Sequence, residues 1–319
     1  MILKLRIILI TVIASLLIIP NAFSGPNAFS DDIFIEGKFT FPFQKTTTAE
    51  AADIDLPKSR ETIIIANFNI QVFGKAKVRK TDVMVILAKT ITQFDIVAVQ
   101  EIRDKSGTAI RELEHAVDTM GTDYEYIIGP RLGRTSSKEQ YAFMYNTETI
   151  TAGESYTFND QADFFRREPF IAQFHANNGR YDFVLITLHT DPDDATREIN
   201  TIPMVVRDAQ NHFPDEKDFI ILGNLNADCK YFDEDDPASP LRNPEFMWLI
   251  TNDMDTNLAK SSCTYDRIVI TAMSTTEDYT GQSGVFRFDT VFSSTPNMAK
   301  KVSDHYPVYG VFYVNRDKD

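Results

Sequence analysis

Four runs rich in aromatic and β-branched residues follow one another between residues 124 and 189: YEYIIG, QYAFMYN, PFIAQFH and YDFVLITLH. No segment of helical length and spacing separates them. A block of consecutive strands argues against a doubly wound parallel sheet, in which strand and helix alternate. The flanking segments mix the two types. TIIIANFNI and FDIVAVQE precede the block, and FIILG, YDRIVIT and HYPVYGVFYV follow it, all with strand composition. Residues 78–92 space Val78, Val85, Leu87 and Ile91 as one helix face. AIRELEHAVDTM and PDDATREINTIPMVVRDAQNHF also read as helices, the second starting near Asp193 or Asp194. The expectation is an α/β chain of mixed sheets with helices outside them, in one domain over residues 59–316.

The first 25 residues, MILKLRIILITVIASLLIIPNAFSG, are organised differently. Lys4 and Arg6 precede an apolar run from Ile7 to Ile19, and Ala22 and Ser24 form a small-x-small site. This pattern predicts a secretory signal peptide over residues 1–24; the alternative, a membrane anchor, needs a span of ~20 residues. Residues 25–58, rich in Thr, Ala, Asp, Phe and Pro without a steady period, read as a weakly structured leader or linker. Export bears on the cysteines. Cys229 and Cys263 are an even pair, and an oxidising compartment favours a disulfide over two buried thiols. It would close a loop of about 35 residues and contribute roughly 3–4 kcal/mol. The net charge is −14. An acidic chain gains little from bulk attraction to phosphate, so a phosphate-ester site must rest on local arginines or bound cations.

Polar groups gather at the strand ends: Asn69, Gln100-Glu101, His189, Asn224 and Asn226, Asp266, and Ser303-Asp304-His305. Singly, each is what a solvated strand end carries. Strand ends opening into loops are also where a rigid scaffold presents catalytic groups. Their order decides between the two. ANFNIQVFG, VQEIRD, SSKEQY, RREP, LHTDP, GNLNADC, CTYDRIVI and SDHYPV, in this succession, resemble the endonuclease/exonuclease/phosphatase superfamily from about Thr62 to Tyr313. LGRTSSKEQY, RREP and CTYDRIV are most similar to its deoxyribonuclease I-like branch. The resemblance implies an α/β four-layer sandwich, two packed mixed β-sheets flanked by helices. Cys229 and Cys263 fall where that branch has a disulfide.

The resemblance also implies roles. Glu139 pairs with His189 and Asp266 with His305, one imidazole acting as base and the other as acid. Imidazole titrates near neutrality, and a carboxylate holds each ring. Glu101 is the expected Mg2+ or Mn2+ ligand, supported by Asn69 and Asp304, since hard cations take oxygen donors. Asn226 matches the asparagine that holds the phosphate or the nucleophile. Arg103, Arg167 and Tyr265 match substrate-binding positions, the arginines on the DNA backbone. There are departures. The family reads Gly-Asp-Phe-Asn where this chain has Gly223, Asn224, Leu225 and Asn226. Asn224 keeps the shape of an active-site carboxylate without its charge, which weakens transition-state electrostatics. Asp228 would share its face only if the chain stays extended. Ser137 stands at a tyrosine position. The loop before Cys263 is shorter than the branch's calcium loop, while Asp163 and Glu168 retain part of another calcium site.

The leading expectation is a secreted or periplasmic endonuclease that hydrolyses DNA with Mg2+ or Mn2+, attenuated by Asn224, with Ca2+ as a further cation. The alternatives are a catalytically degenerate binding protein and a phosphodiesterase acting on a lipid headgroup. The expected partner is the DNA backbone with little sequence specificity. No stable membrane association after signal cleavage, no actin binding and a monomeric state are expected.

Overall fold

The computed structural model describes Leu56 and residues 58–318. The expected signal peptide and nearly all of the expected leader lie outside the described residues. Twelve strands are found among the described residues: β1 (Thr62–Phe73), β2 (Ile96–Ile102), β3 (Tyr124–Ile128), β4 (Gln140–Asn146), β5 (Ile150–Thr157), β6 (Phe170–Ala176), β7 (Asp182–His189), β8 (Phe219–Asn224), β9 (Phe246–Trp248), β10 (Asp266–Thr271), β11 (Tyr279–Val285) and β12 (Val308–Tyr313). Helices α1 (Lys75–Val78), α2 (Thr81–Ile91), α3 (Thr108–Asp118), α4 (Ala195–His212), α5 (Thr275–Asp278), α6 (Phe288–Val291) and α7 (Pro296–Val302) lie between them.

The strands form two six-stranded sheets, ordered β11-β12-β1-β2-β4-β3 and β5-β6-β7-β8-β10-β9. Both are mixed. β1 and β2 run parallel, as do β7 and β8, and each parallel pair has antiparallel neighbours. The strand block divides: β3 and β4 form a hairpin in the first sheet, and β5, β6 and β7 are successive antiparallel neighbours in the second.

Strand alternation builds three apolar layers. Ile63 and Ile65 of β1 pack with Leu185, Ile220, Leu222 and Ile268 between the sheets. Ile64 and Ala66 pack with Leu87, Leu113 and Val302 of α2, α3 and α7. Val184, Ile186 and Ile221 pack with Ile199, Ile202 and Val205 of α4. The architecture is therefore helix, sheet, sheet, helix. Among the described residues no helix is long and apolar enough to cross a membrane.

Two sequence expectations shift. The helix read over 78–92 is α2, which starts only at Thr81, while Val78 ends the separate α1; Val83, Leu87 and Ile91 of α2 are buried and Val85 is only half-buried. β5, β9 and β11 have no counterpart in the sequence reading. Each is the edge of its sheet. An edge strand is covered less completely and needs less apolar sequence, and ITAGESYT and YTGQSGV are mostly polar.

The ends of β7 and β8 away from His189 and Asn224 carry Asp182, Glu216 and Asp218. Glu216 is buried and accepts from the backbone N–H groups of Lys217 and Asp218 at 2.8 and 2.7 Å. Burial pushes its carboxyl from 4.5 up to about 8; the Asp182 and Asp218 charges add to this, against those two hydrogen bonds. The folded protein thus keeps a proton that the unfolded chain releases. That contribution to stability is complete below about pH 4.5 and is lost as the pH rises through 8. Glu216→Gln is expected to raise the thermal midpoint at pH 9 by about 3 °C or more and to change it little at pH 5. Calorimetry at both pH values checks this, and an unchanged midpoint at pH 9 refutes it.

Candidate active site

Polar residues embedded in apolar strands mark the site. Asn67 and Asn69 in β1, Gln100 and Glu101 in β2, Thr187 and His189 in β7, and Asn224 in β8 lie toward the C-terminal ends of the two parallel pairs. Register places Asn69 beside Gln100, His189 beside Asn224, and Asp266, the first residue of β10, beside Asn224. Gly223 is required at this junction: a Cβ there would lie 1.9 Å from Leu188 O.

Two histidine–carboxylate pairs form. His189 Nδ1 is 2.9 Å from Glu139 Oε1, and His305 Nδ1 is 2.6 Å from Asp266 Oδ2. Both carboxylates are buried. The Tyr141 hydroxyl accepts from His189 N at 2.9 Å. Asn67 Nδ2 donates to Asp266 Oδ1 at 3.3 Å, and Gln100 donates to both Asn67 and Thr187. Burial would raise the Glu139 carboxyl, but His189, Arg167 and Arg103 hold it at about 2. Burial would lower the His305 imidazole, but Asp266 outweighs it and brings it up to about 9.

The other nitrogens of both rings converge on Asn224. Its Nδ2 is 3.4 Å from Nε2 of His189 and 3.4 Å from Nε2 of His305. Its Oδ1 is turned away, accepting from Asn226 N at 3.1 Å. Asn226 in turn donates to Thr190 O at 3.0 Å and has φ of 48°. The left-handed turn at Asn226 breaks the extended run, so Asp228 does not take up the face of Asn224. Its carboxylate accepts instead from the backbone of Thr264 and Cys229.

Glu101 also has left-handed φ, 62°. Its carboxylate accepts from Asn69 Nδ2 at 3.2 Å, Val72 N at 2.8 Å and Arg103 at 2.9 Å. Burial would raise it, but His189 and the Val72 N–H outweigh that and lower it. Arg103 also reaches Glu139 at 3.8 Å and Ser137 Oγ at 3.2 Å. Asp304, half exposed, lies 3.8 Å from His305 Nε2. Strain concentrates here. Of the described non-glycine residues with positive φ, Gln71, Val72, Glu101 and Asn226 belong to this site, as over-determined functional backbones do.

The remaining expected residues are placed as follows. Cys229 and Cys263 are bonded, with Cα atoms 5.9 Å apart. Tyr265 is half-buried, with its ring 6.2 Å from that of His305 and 5.8 Å from that of Tyr231. Arg167 differs from the expectation of a backbone-contacting arginine. Its guanidinium is turned inward, to His189 O at 2.8 Å, Thr190 O at 2.9 Å and Glu139 at 2.8 Å. The Asp163 oxygens expected at a calcium site are bonded by Arg134, at 2.9 Å to the carbonyl and 2.8 Å to the carboxylate.

The model of the endonuclease/exonuclease/phosphatase family matches residues 66–311. Human deoxyribonuclease gamma is 35% identical over 260 residues, covering 76% of this chain and 84% of its own length. Human deoxyribonuclease-1 is 34% identical over 255 residues, covering 76% and 90%.

The chain belongs to the endonuclease/exonuclease/phosphatase family, in its deoxyribonuclease I-like branch.

Solved structures bear on the family fold. That of D. rerio TDP2 complexed with a single-strand DNA product has a TM-score of 0.56 at 16% identity, over 79% of this chain and 98% of the other. An endonuclease/exonuclease/phosphatase from Bacteroides vulgatus has 0.56 at 14%, over 79% and 99%. The family segment contains all the expected site residues, from Asn69 to His305. It also contains polar residues to which the sequence reading gave no role: Asn67, Gln100, Thr187 and Tyr141. A usable signal existed for three of them. Asn67, Gln100 and Thr187 interrupt the apolar runs IIIANFN, IVAVQE and FVLITLH, and a buried amide or hydroxyl needs a partner.

Proposed function

We propose that this protein is a secreted, divalent-cation-dependent endonuclease that hydrolyses DNA phosphodiester bonds. The observation that carries the reading is the convergence of two carboxylate-held imidazoles on one point, the amide of Asn224. Phosphodiester hydrolysis needs one proton removed from water and one delivered to the leaving oxygen. His305, raised to about 9 by Asp266, is assigned the donor role. His189, oriented by Glu139 and Tyr141, is assigned the acceptor role. Asn226 and Arg103 supply N–H groups to the phosphate oxygens. The names of the relatives, both deoxyribonucleases, support DNA as substrate. The apolar N-terminal run and the disulfide support secretion.

Glu101, Asn69 and Asp304 offer only oxygen donors, a set that fits Mg2+ or Mn2+. When bound there, such an ion would counter the charge developing on the phosphate. The Arg134 contact counts against calcium at Asp163.

Asn224 is the point of attenuation. Its amide nitrogen faces His305 Nε2, which carries a proton in the imidazolium, and two donors cannot bond. A carboxylate would accept that proton. On supercoiled plasmid with Mg2+, the wild type is expected to nick, EDTA to stop it, and Asn224→Asp to be faster by about 10-fold or more. Nicking by neither protein would sink the reading. A silent wild type beside an active Asn224→Asp would establish the second reading that Asn224 favours, a degenerate binding protein.

A further inference from the structure

The bulge of β1 behind Asn69 is held by a lysine. Lys77, in α1, is buried, and its ammonium donates to the carbonyls of Ile70, Gln71 and Val302 at 2.8, 2.5 and 2.8 Å. An ammonium has three donors, so all are used inside the protein. Gln71 and Val72 both have left-handed φ, 42° and 48°, a region that β-branched residues rarely enter. The peptide between them faces two charges at once. Its carbonyl accepts from Lys77, and its N–H, that of Val72, donates to Glu101 Oε2 at 2.8 Å. A flip of this peptide would take Val72 out of its left-handed φ and withdraw the N–H from Glu101; the ammonium opposes it. The third carbonyl belongs to Val302, the last residue of α7. The next residue, Ser303, donates its Oγ to Asn69 O at 2.6 Å and accepts from His305 N at 3.1 Å. One buried side chain therefore joins the segment behind Glu101 to the segment leading into Asp304 and His305.

We propose that Lys77 is a positioning residue for both halves of the active site, orienting Glu101 through the Gln71–Val72 peptide and setting the Asp304–His305 segment through Val302. It rests on the nuclease reading for what Glu101 and His305 do. Lys77→Met removes the donors. Lys77→Arg keeps the charge but replaces a compact ammonium with a planar fork, which does not suit three carbonyls around one point. Leu87→Ala, in the core face of α2, is the control that loses stability without touching the bulge.

The test is amide hydrogen exchange without metal or DNA, each protein held equally far below its thermal midpoint. Segments 69–73 and 302–306 are expected to exchange about 10-fold faster or more in both Lys77 variants and at the wild-type rate in Leu87→Ala. In plasmid nicking, kcat is expected to fall about 10–100-fold in Lys77→Met, with KM within about threefold, while Leu87→Ala keeps its kcat. Unchanged exchange in both segments, or equal acceleration in Leu87→Ala, overturns the proposal. A wild type that does not nick removes the nuclease reading, and the exchange comparison still decides this one.

Discussion

Alanine in place of His305 or of His189 is expected to lower plasmid nicking by about 10²–10⁴-fold, with the affinity for DNA little changed. The two rings are held alike. Each gives Nδ1 to a buried carboxylate and presents Nε2 to Asn224 at 3.4 Å. Neither can replace the other, because each is fixed on its own strand end. His189 closes β7, and His305 precedes β12. Removing both should cost little more than removing one, since the two act on a single transition state. Gel assays of initial nicking rates, with DNA binding measured in parallel, decide the matter. Activity within tenfold of wild type in either variant would remove that histidine from the chemistry.

Opening the disulfide gives the second large effect. Cys229 and Cys263 close a loop with a sequence separation of 34, which chain-entropy arithmetic values at about 4 kcal/mol. In a domain of this size that is about 10 °C of thermal midpoint. The bridge joins the exit of β8, which carries Asn226, to the approach to β10, which begins at Asp266. Serine at both positions, or dithiothreitol on the wild type, should shift the midpoint by the same amount. A shift below about 2 °C would show that the Thr264–Asp228 contact and its neighbours hold the two segments without the bond.

The central strands could be read from sequence because burial on both faces leaves them nearly continuous in Ile, Val, Leu and Phe. β7 and β8 are such strands, and both were anticipated. β5, β9 and β11 were not, because an edge needs cover on fewer sides and tolerates Gly, Ser and Glu. The histidines, their carboxylates and the cysteines were legible through their motifs. Lys77 was not: GKAKV looks like a solvated turn until Ile70, Gln71 and Val302 turn their carbonyls toward it. Arg167 was legible as an arginine but not in its direction, since nothing in RREP says that its guanidinium folds back onto His189 O and Thr190 O. Backbone carbonyls are partners that no side-chain pattern encodes.

β1 and β12 are antiparallel neighbours, with Thr62 directly across from Tyr313. The chain thus enters and leaves the sandwich side by side. A short Gly-Ser tether would join those two positions, and a new opening at the exposed Asp235–Ala238 turn would cut no strand. Such a circular permutant would begin and end far along the sequence from both histidines, leaving the order of the buried strands around the catalytic pole intact. The domain can therefore be inserted into, or displayed on, another protein as a loop.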